Sequence, residues 1–346
     1  MVNDSIFIKK GVELEIEVQS LAYGGMGLAK VDDFVVFVKN GIPGQRVLVL
    51  IYKKKKGFAE ARIIKVLKQS PLATEARCDH YWICSKLQTL SYEEQLKEKE
   101  KQVVDAFQRI GGFTDFTING VRSAENKYNY RNKMEFTFSP HRWILESEPE
   151  GVDSSFALGL HIPGRYDKIL DIDTCHIQPD IGNKILGIAR EVCLKNLDLK
   201  PYDPKTNIGF LRHLMLRFGV KTNQLMINIV TAYDDINKLS PLIDTLLKKV
   251  PEITSMVNNV NTRKADVAFG EFENLIFGNS FIEEKIGSLK FEISANSFFQ
   301  TNTYQGKVLY DEVLKIAGLN GDEIVYDLYC GTGTVSYTHL TLPTNA

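Results

Sequence analysis

Between Val12 and Val66 the chain alternates apolar and polar residues in short runs separated by turn residues. Val12-Glu13-Leu14-Glu15-Ile16-Glu17-Val18 repeats with period two, the pattern of a strand with one buried face. Gly24-Gly25-Met26-Gly27 breaks it. Residues 34–38, 47–52 and 58–66 read as three more strands, with Asn40-Gly41-Ile42-Pro43-Gly44 as a turn cluster after the first of them. Strands this short and this closely spaced predict a small closed barrel over residues 1–68. After Ser91 the period becomes helical. Leu96, Val103, Val104, Phe107 and Ile110 share one face, Ser91 and Glu94 form a capping-box pair, and Gly111-Gly112 stops the run. That stripe predicts a helix packed on a core.

Residues 115–290 mix the two periods. Strands are predicted at 133–138, 157–161, 213–218 and 224–230, and helices at 182–196 and 241–250. A new pattern starts at 291–294. It continues through a helix at 305–317, ended by Gly318, and a strand at 323–328 that runs into Tyr329-Cys330-Gly331-Thr332-Gly333-Thr334. An apolar strand ending in an acid and then Gly-x-Gly opens a nucleotide-type pocket at its C-terminal end. Alone, two glycines also describe a tight turn. The expected architecture is multi-domain: an N-terminal β-barrel, a cysteine-containing segment at 69–90, a central α+β region at 91–290, and the start of an α/β Rossmann-like domain at 291–336.

Composition narrows the class. The 346 residues are 44% hydrophobic and 25% charged, ordinary for a globular chain of two or three domains. No apolar run approaches the ~20 residues that span a bilayer. Met1-Val2-Asn3-Asp4-Ser5 lacks a basic-then-apolar signal layout, which reads as cytoplasmic. The net charge of −1 is unevenly spread: residues 1–70 hold twelve Lys and Arg against seven Asp and Glu. A basic front end suits phosphate contact, although a solvated charged face looks the same. Five cysteines, an odd count, do not describe a disulfide scaffold and leave metal ligation or burial.

Several motifs in order are more specific than any one. Asn296-Ser297-Phe298-Phe299-Gln300-Thr301-Asn302, one helix before Asp327-Leu328-Tyr329-Cys330-Gly331-Thr332-Gly333-Thr334, resembles the S-adenosylmethionine site of RNA uracil-C5 methyltransferases. Tyr130-Arg131-Asn132-Lys133 and Leu211-Arg212-His213-Leu214 are similar to motifs of their central domain. The first 68 residues look like a TRAM barrel, as in the 23S ribosomal RNA branch. The resemblance implies a cytoplasmic, monomeric enzyme that methylates uracil C5 in RNA, most simply 23S ribosomal RNA, with S-adenosylmethionine as donor. In that chemistry a cysteine thiolate adds to C6 and C5 takes the methyl group. A carboxylate then removes the C5 proton and the thiolate leaves. The target base has to leave its stack, so unpaired or flipped uridines are implied.

Residue by residue, the resemblance puts Gln300, Asp327, Tyr329, Gly331 and Gly333 at the cofactor. It gives Cys330 no role as nucleophile, which the family carries further downstream. Relatives hold a [4Fe-4S] cluster on four cysteines. Cys78, Cys84 and Cys175 match three of these, but the Cys-Gly-Gly-Cys step is missing, so the expected site is degenerate. Cys193 lies in an apolar helix and reads as core. Lys53, Lys54, Lys55, Lys56, Arg131 and Lys133 are the expected RNA contacts, Arg131 and Lys133 sharing a strand face. Residues 337–346 make a poor helix and read as an artefactual tail. On that reading the chain is a truncated, inactive piece; the alternatives are a non-catalytic RNA-binding module and a 5-methyluridine methyltransferase acting on transfer RNA.

Overall fold

The computed structural model describes residues 8–264, 268–320 and 322–328, in two compact units, 1–123 and 124–346. In the first unit six strands form one sheet: β1 (Glu13–Glu17), β2 (Ser20–Leu21), β3 (Gly27–Val31), β4 (Phe34–Lys39), β5 (Arg46–Lys54) and β6 (Phe58–Lys68). Their order is β1-β5-β6-β4-β3-β2. Only Val18 and Gln19 separate the two edge strands β1 and β2, so the edges meet and the sheet curls into the expected barrel. Period-two residues fill it: Ile16, Val36, Val38, Val47, Val49, Ile51, Ala59 and Ala61 are buried together. Two strands, β2 and β3, escape the sequence pattern because glycines flank them. Asp32 and Asp33, with φ of 47° and 63°, make the two-residue turn from β3 to β4.

The same unit holds a short α1 (Tyr81–Cys84) and α2 (Tyr92–Asp105), which continues as a π-helical turn over Ala106–Ile110. Thus α2 clusters with the barrel and not with the central region to which its sequence position assigned it. Ser91 is the N-cap but makes no side-chain capping bond, and α2 buries none of its residues. The stripe expected in a core is not buried: Leu96 and Val104 are half-buried, and Val103, Phe107 and Ile110 are exposed, Ile110 to 88%. Phe107 instead gathers Phe113 and Phe116, with ring centroids 5.7 and 5.2 Å away.

The second unit is built on a seven-stranded sheet. Its strands are β7 (Lys133–Ser139), β8 (Ala157–Ile162), β9 (Arg165–Asp171), β10 (Leu211–Gly219), β11 (Gln224–Thr231), β12 (Ser255–Val260) and β13 (Phe272–Gly278). The order is β13-β12-β11-β10-β7-β8-β9, antiparallel except where β11 and β12 run parallel across helix α4 (Ile236–Lys249). Every residue of β10 is buried, so both faces of the sheet are covered there. Helix α3 (Asp180–Lys195) packs on β8, and α4 packs on α3. Helix α4 begins five residues before Pro241, with the Asp235 carboxylate capping Lys238 N at 3.1 Å. Proline was read as the helix start because an interior proline loses one N–H bond and crowds the carbonyl a turn earlier; here Pro241 lies inside the helix all the same.

A hairpin, β14 (Phe281–Ile286) and β15 (Leu289–Ser294), lies against β10 and β11. It leads to α5 (Thr303–Ala317), closed by Gly318 at φ 59°. Ile282, Ile286, Phe291, Ile293, Phe299 and Tyr310 form a core with Met226 and Val257 of the sheet. Residues 322–328 carry no strand, against expectation, and Ile324, Tyr326 and Leu328 are exposed. A strand needs neighbours for its ladder, and none pairs with this segment among the described residues. No doubly wound sheet is present among them.

Candidate functional site

The sheet register decides which side chains share a face. Lys133, Glu135 and Thr137 of β7 stand opposite Arg217, Met215 and His213 of β10. Met215 and Arg217 in turn stand opposite Asn228 and Met226 of β11. This row is rich in polar groups. The alternate row, with Met134, Phe136, Phe138, Leu214, Leu216, Ile227 and Ile229, is apolar and buried.

The segment from Ala295 to Asn302 is strapped to the polar row. Arg217 is buried and donates from Nε to Ala295 O at 3.1 Å and from Nη2 to Ser297 O. Burial alone lowers its guanidinium to about 10, which leaves it charged at neutral pH. Asn132 donates from Nδ2 to Gln300 O at 2.8 Å and to Thr303 Oγ1 at 2.9 Å, and its backbone N–H reaches Thr301 O. The Thr303 hydroxyl donates a hydrogen bond to Glu284 Oε2 at 2.8 Å. Glu284 is fully buried, and its two oxygens also accept from Val220, Lys221 and Lys285 N–H groups at 2.8–2.9 Å. One carboxylate thus ties together the hairpin, the β10–β11 turn and the start of α5. Asn302 caps α5 by accepting from Gln305 N at 3.0 Å.

These bonds bring together three runs that the sequence holds far apart: 130–133, 211–217 and 294–303. At their meeting point Gln300 is half-buried and Phe298 is exposed to 68%. Arg131 and Lys133 lie beside it. Arg131 Nε donates to Lys133 O at 3.0 Å, and burial, then the nearby Arg217 and Arg131 charges, push the Lys133 ammonium down. A half-buried cation among cations is a place where an anion is stabilised. Asp327 is half-buried, and its Oδ2 has no donor among the described residues, a kind of atom a ligand hydroxyl or ammonium group completes. Tyr329, Cys330, Gly331 and Gly333 lie outside the described residues, as does the tail at 337–346.

On the barrel, Lys53, Lys54, Lys55 and Lys56 are exposed along the β5–β6 hairpin. They are not equivalent. Lys53 Nζ donates to Glu60 Oε1 at 2.5 Å, and Tyr52 donates to Glu60 Oε2 at 2.9 Å. Lys54 sits 5.8 Å from the centre of the Phe34 ring. Lys55 and Lys56 flank the turn itself, closed by Lys55 N to Phe58 O.

The expected iron–sulfur site is not assembled. Among the described residues no three His, Cys, Asp or Glu side chains are grouped to hold a metal ion. Cys78 Sγ faces Gln88 Oε1 at 3.6 Å, and burial pushes its thiol up. Cys84 is exposed, and Cys175 is buried with its N–H on Asn183 Oδ1. With the Cys-Gly-Gly-Cys step absent, these residues do not fit a four-thiolate cluster. Cys193 is buried in α3, as expected.

Arg217, Glu284 and the asparagines Asn228 and Asn259 were missed in the sequence. The signal was present: asparagine is poorly suited to strand interiors, yet Asn258-Asn259 sits between Val257 and Val260 in a fully buried β12.

Residues 9–64 match the TRAM domain family. An RNA methyltransferase of Chlorobaculum tepidum is 40% identical over 340 residues, covering 95% of this chain and 70% of the relative. One from Porphyromonas gingivalis is 39% identical over 331 residues, with 93% and 71% covered. A solved structure superposes with a TM-score of 0.67 at 25% identity, covering 93% of this chain and 69% of its own. It is the Pyrococcus abyssi tRNA (uracil-54, C5)-methyltransferase in complex with S-adenosyl-L-homocysteine. No helix among the described residues is long and apolar enough to cross a membrane.

Proposed function

The chain belongs to the RNA uracil-C5 methyltransferase family, and from that premise we propose that it serves S-adenosylmethionine-dependent methylation of uracil C5 in RNA, with 23S ribosomal RNA as the first substrate. The observation that carries this reading is the convergence of 130–133, 211–217 and 294–303 on one polar sheet face, held by Asn132 and Arg217. S-adenosylmethionine would supply the methyl group. Gln300 and Asp327 would hold it, with Tyr329, Gly331 and Gly333. The orphaned Asp327 Oδ2 suits a hydroxyl or ammonium donor of such a ligand. Phe298, exposed to 68%, would stack on an extruded base. Arg131 and Lys133 would bind phosphate at that point; on the barrel hairpin Lys55 and Lys56 would also bind phosphate, with Lys53 and Lys54 adding charge.

A second substrate, transfer RNA, is favoured by one finding. The Pyrococcus abyssi relative acts on tRNA and aligns over 93% of this chain, so its match reaches into the barrel. The barrel therefore does not by itself select ribosomal RNA.

The test uses the full-length protein with methyl-labelled S-adenosylmethionine and unmodified 23S ribosomal RNA or tRNA, followed by nucleoside analysis. Label in 5-methyluridine is expected. Label in any other nucleoside, or none in either RNA, overturns the reading. Gln300→Ala is expected to lower kcat/KM by about a hundredfold, as a misplaced donor or substrate does. Neutralising Lys55 and Lys56 is expected to reduce the salt slope of RNA binding by about 0.7 per lost phosphate contact. An unchanged slope removes the hairpin from the interface, leaving a purely catalytic reading of the second unit.

A further inference from the structure

The polar face of the seven-stranded sheet carries a hydrogen-bonded ladder that no sequence motif marks. Asn259, 1% exposed in β12, uses its whole amide. Its Nδ2 donates to Asn228 Oδ1 at 3.2 Å and to Glu273 Oε2 at 2.8 Å. Its Oδ1 accepts from Asn296 Nδ2 at 3.0 Å. Asn228, also 1% exposed, donates onward to Met215 Sδ at 3.3 Å. Register places the members: Asn259 stands opposite Glu273 on β13 and opposite Val230 on β11, with Asn228 two residues before Val230 on the same face.

The ladder has one orientation. Turning the Asn259 amide over would set its oxygen against the Glu273 carboxylate and its nitrogen against Asn296 Nδ2, so both contacts would become repulsive. Two buried amides are also a poor way to gain bulk stability, because each loses its water and only regains hydrogen bonds. Val257 and Met226, two residues away on the same face, fill it with apolar groups. What a satisfied polar network adds over an apolar one is a single arrangement. This one ends on Asn296, the second residue of the loop that presents Phe298 and Gln300. Arg217 and Asn132 grip that loop by its backbone carbonyls; Asn259 grips it by a side chain, from a different strand.

We propose that Asn259 is a positioning residue for methyl transfer: oriented by Glu273 and Asn228, it fixes Asn296 and so sets the loop carrying Phe298 and Gln300. The proposal rests on the function proposed above for that loop.

Two isosteric changes in the full-length protein test it. Asn259→Asp removes the donor and sets two carboxylates side by side. It is expected to lower kcat at pH 8 by about tenfold or more, with RNA affinity within about twofold of the parent. Activity should return toward pH 5.5, as the carboxylate pair takes up a proton and regains a donor. The double variant Asn259→Asp/Glu273→Gln reverses donor and acceptor across the same contact. It is expected to restore kcat at pH 8 to within about threefold of the parent, as a cycle through a direct contact requires. Hydrogen exchange of amides 295–302 gives a readout independent of activity. It should rise about tenfold in Asn259→Asp and fall back in the double variant. Wild-type kcat in Asn259→Asp, a loss that the double variant fails to repair, or unchanged loop exchange overturns the proposal. If the parent protein methylates no RNA, the functional reading fails, and the exchange data alone then decide whether Asn259 sets the loop.

Discussion

At the scale of single residues, the second unit is governed by a few buried polar groups whose partners are backbone atoms. Arg217 is the clearest. Removing its guanidinium leaves Ala295 O and Ser297 O without their donor. At about 1–3 kcal/mol for each orphaned acceptor, Arg217→Leu is expected to destabilise this unit by about 2–6 kcal/mol. Denaturant unfolding checks it, and a loss under about 1 kcal/mol would mean that water replaces the guanidinium. Cys193 behaves in the opposite sense, as an inert group. Burial pushes its thiol up to about 12, while an unfolded thiol ionises near ~8.5. The folded value is the raised one, so its contribution to stability is fully present below about 8.5 and is lost as pH rises toward 12. Alkylation at pH 8 should therefore mark exposed Cys84 early and Cys193 only on unfolding. Mass spectrometry of the labelled protein reads this directly, and early label on Cys193 would contradict its burial.

At the scale of elements, the period-two strands of the barrel and the helices α3, α4 and α5 were legible because an amphipathic element writes its period into the chain. Val47, Val49 and Ile51 are buried while Tyr52 is not, as the alternation predicts. The hairpin β14–β15 was barely legible: a change of pattern at 291–294 marked part of its second strand, and neither strand nor its role was read. That role belongs to Glu284, whose buried carboxylate accepts four hydrogen bonds from three elements. Glu284→Gln turns one acceptor into a donor facing N–H or O–H groups. A loss of about 2–4 kcal/mol is expected, with faster exchange at residues 219–222 and 302–305. Stability within about 0.5 kcal/mol of the parent would show that the clasp is dispensable. The segment 323–328 teaches the converse. Its apolar residues predict a strand, but a strand is a property of a pair, and no partner stands beside it among the described residues.

At the scale of the whole molecule, the two units are joined by a stretch, 111–131, that carries no helix and whose residues are mostly exposed. Exposed, irregular chain is what a protease needs to bind its substrate in extended form. Limited trypsin digestion is expected to cut first at Arg122 or Lys127 and to release two stable fragments. First cuts inside β5–β6 or β10–β11 would contradict the division. The uneven charge fits the same division. The basic excess in residues 1–70 lies on the barrel, while the second unit carries its cations in place, at Arg131, Lys133 and Arg217.

The sequence by itself determined the barrel, the main helices and the family, because local period and ordered motifs survive without any knowledge of contacts. It also determined that Gln300, Arg131 and Lys133 were worth watching. Only the tertiary structure decided what those residues are next to. Strand register put 130–133 beside 211–217, and long-range hydrogen bonds from Asn132 and Arg217 laid 294–303 across them. It also separated Lys53, engaged with Glu60, from Lys55 and Lys56, and among the described residues left Cys78, Cys84 and Cys175 without the metal-holding group that the family resemblance had implied in degenerate form. The physical reason is common to all of these. Period reports which face of an element meets water, whereas a site depends on which elements share a face, and that is fixed by pairing between residues up to 171 positions apart.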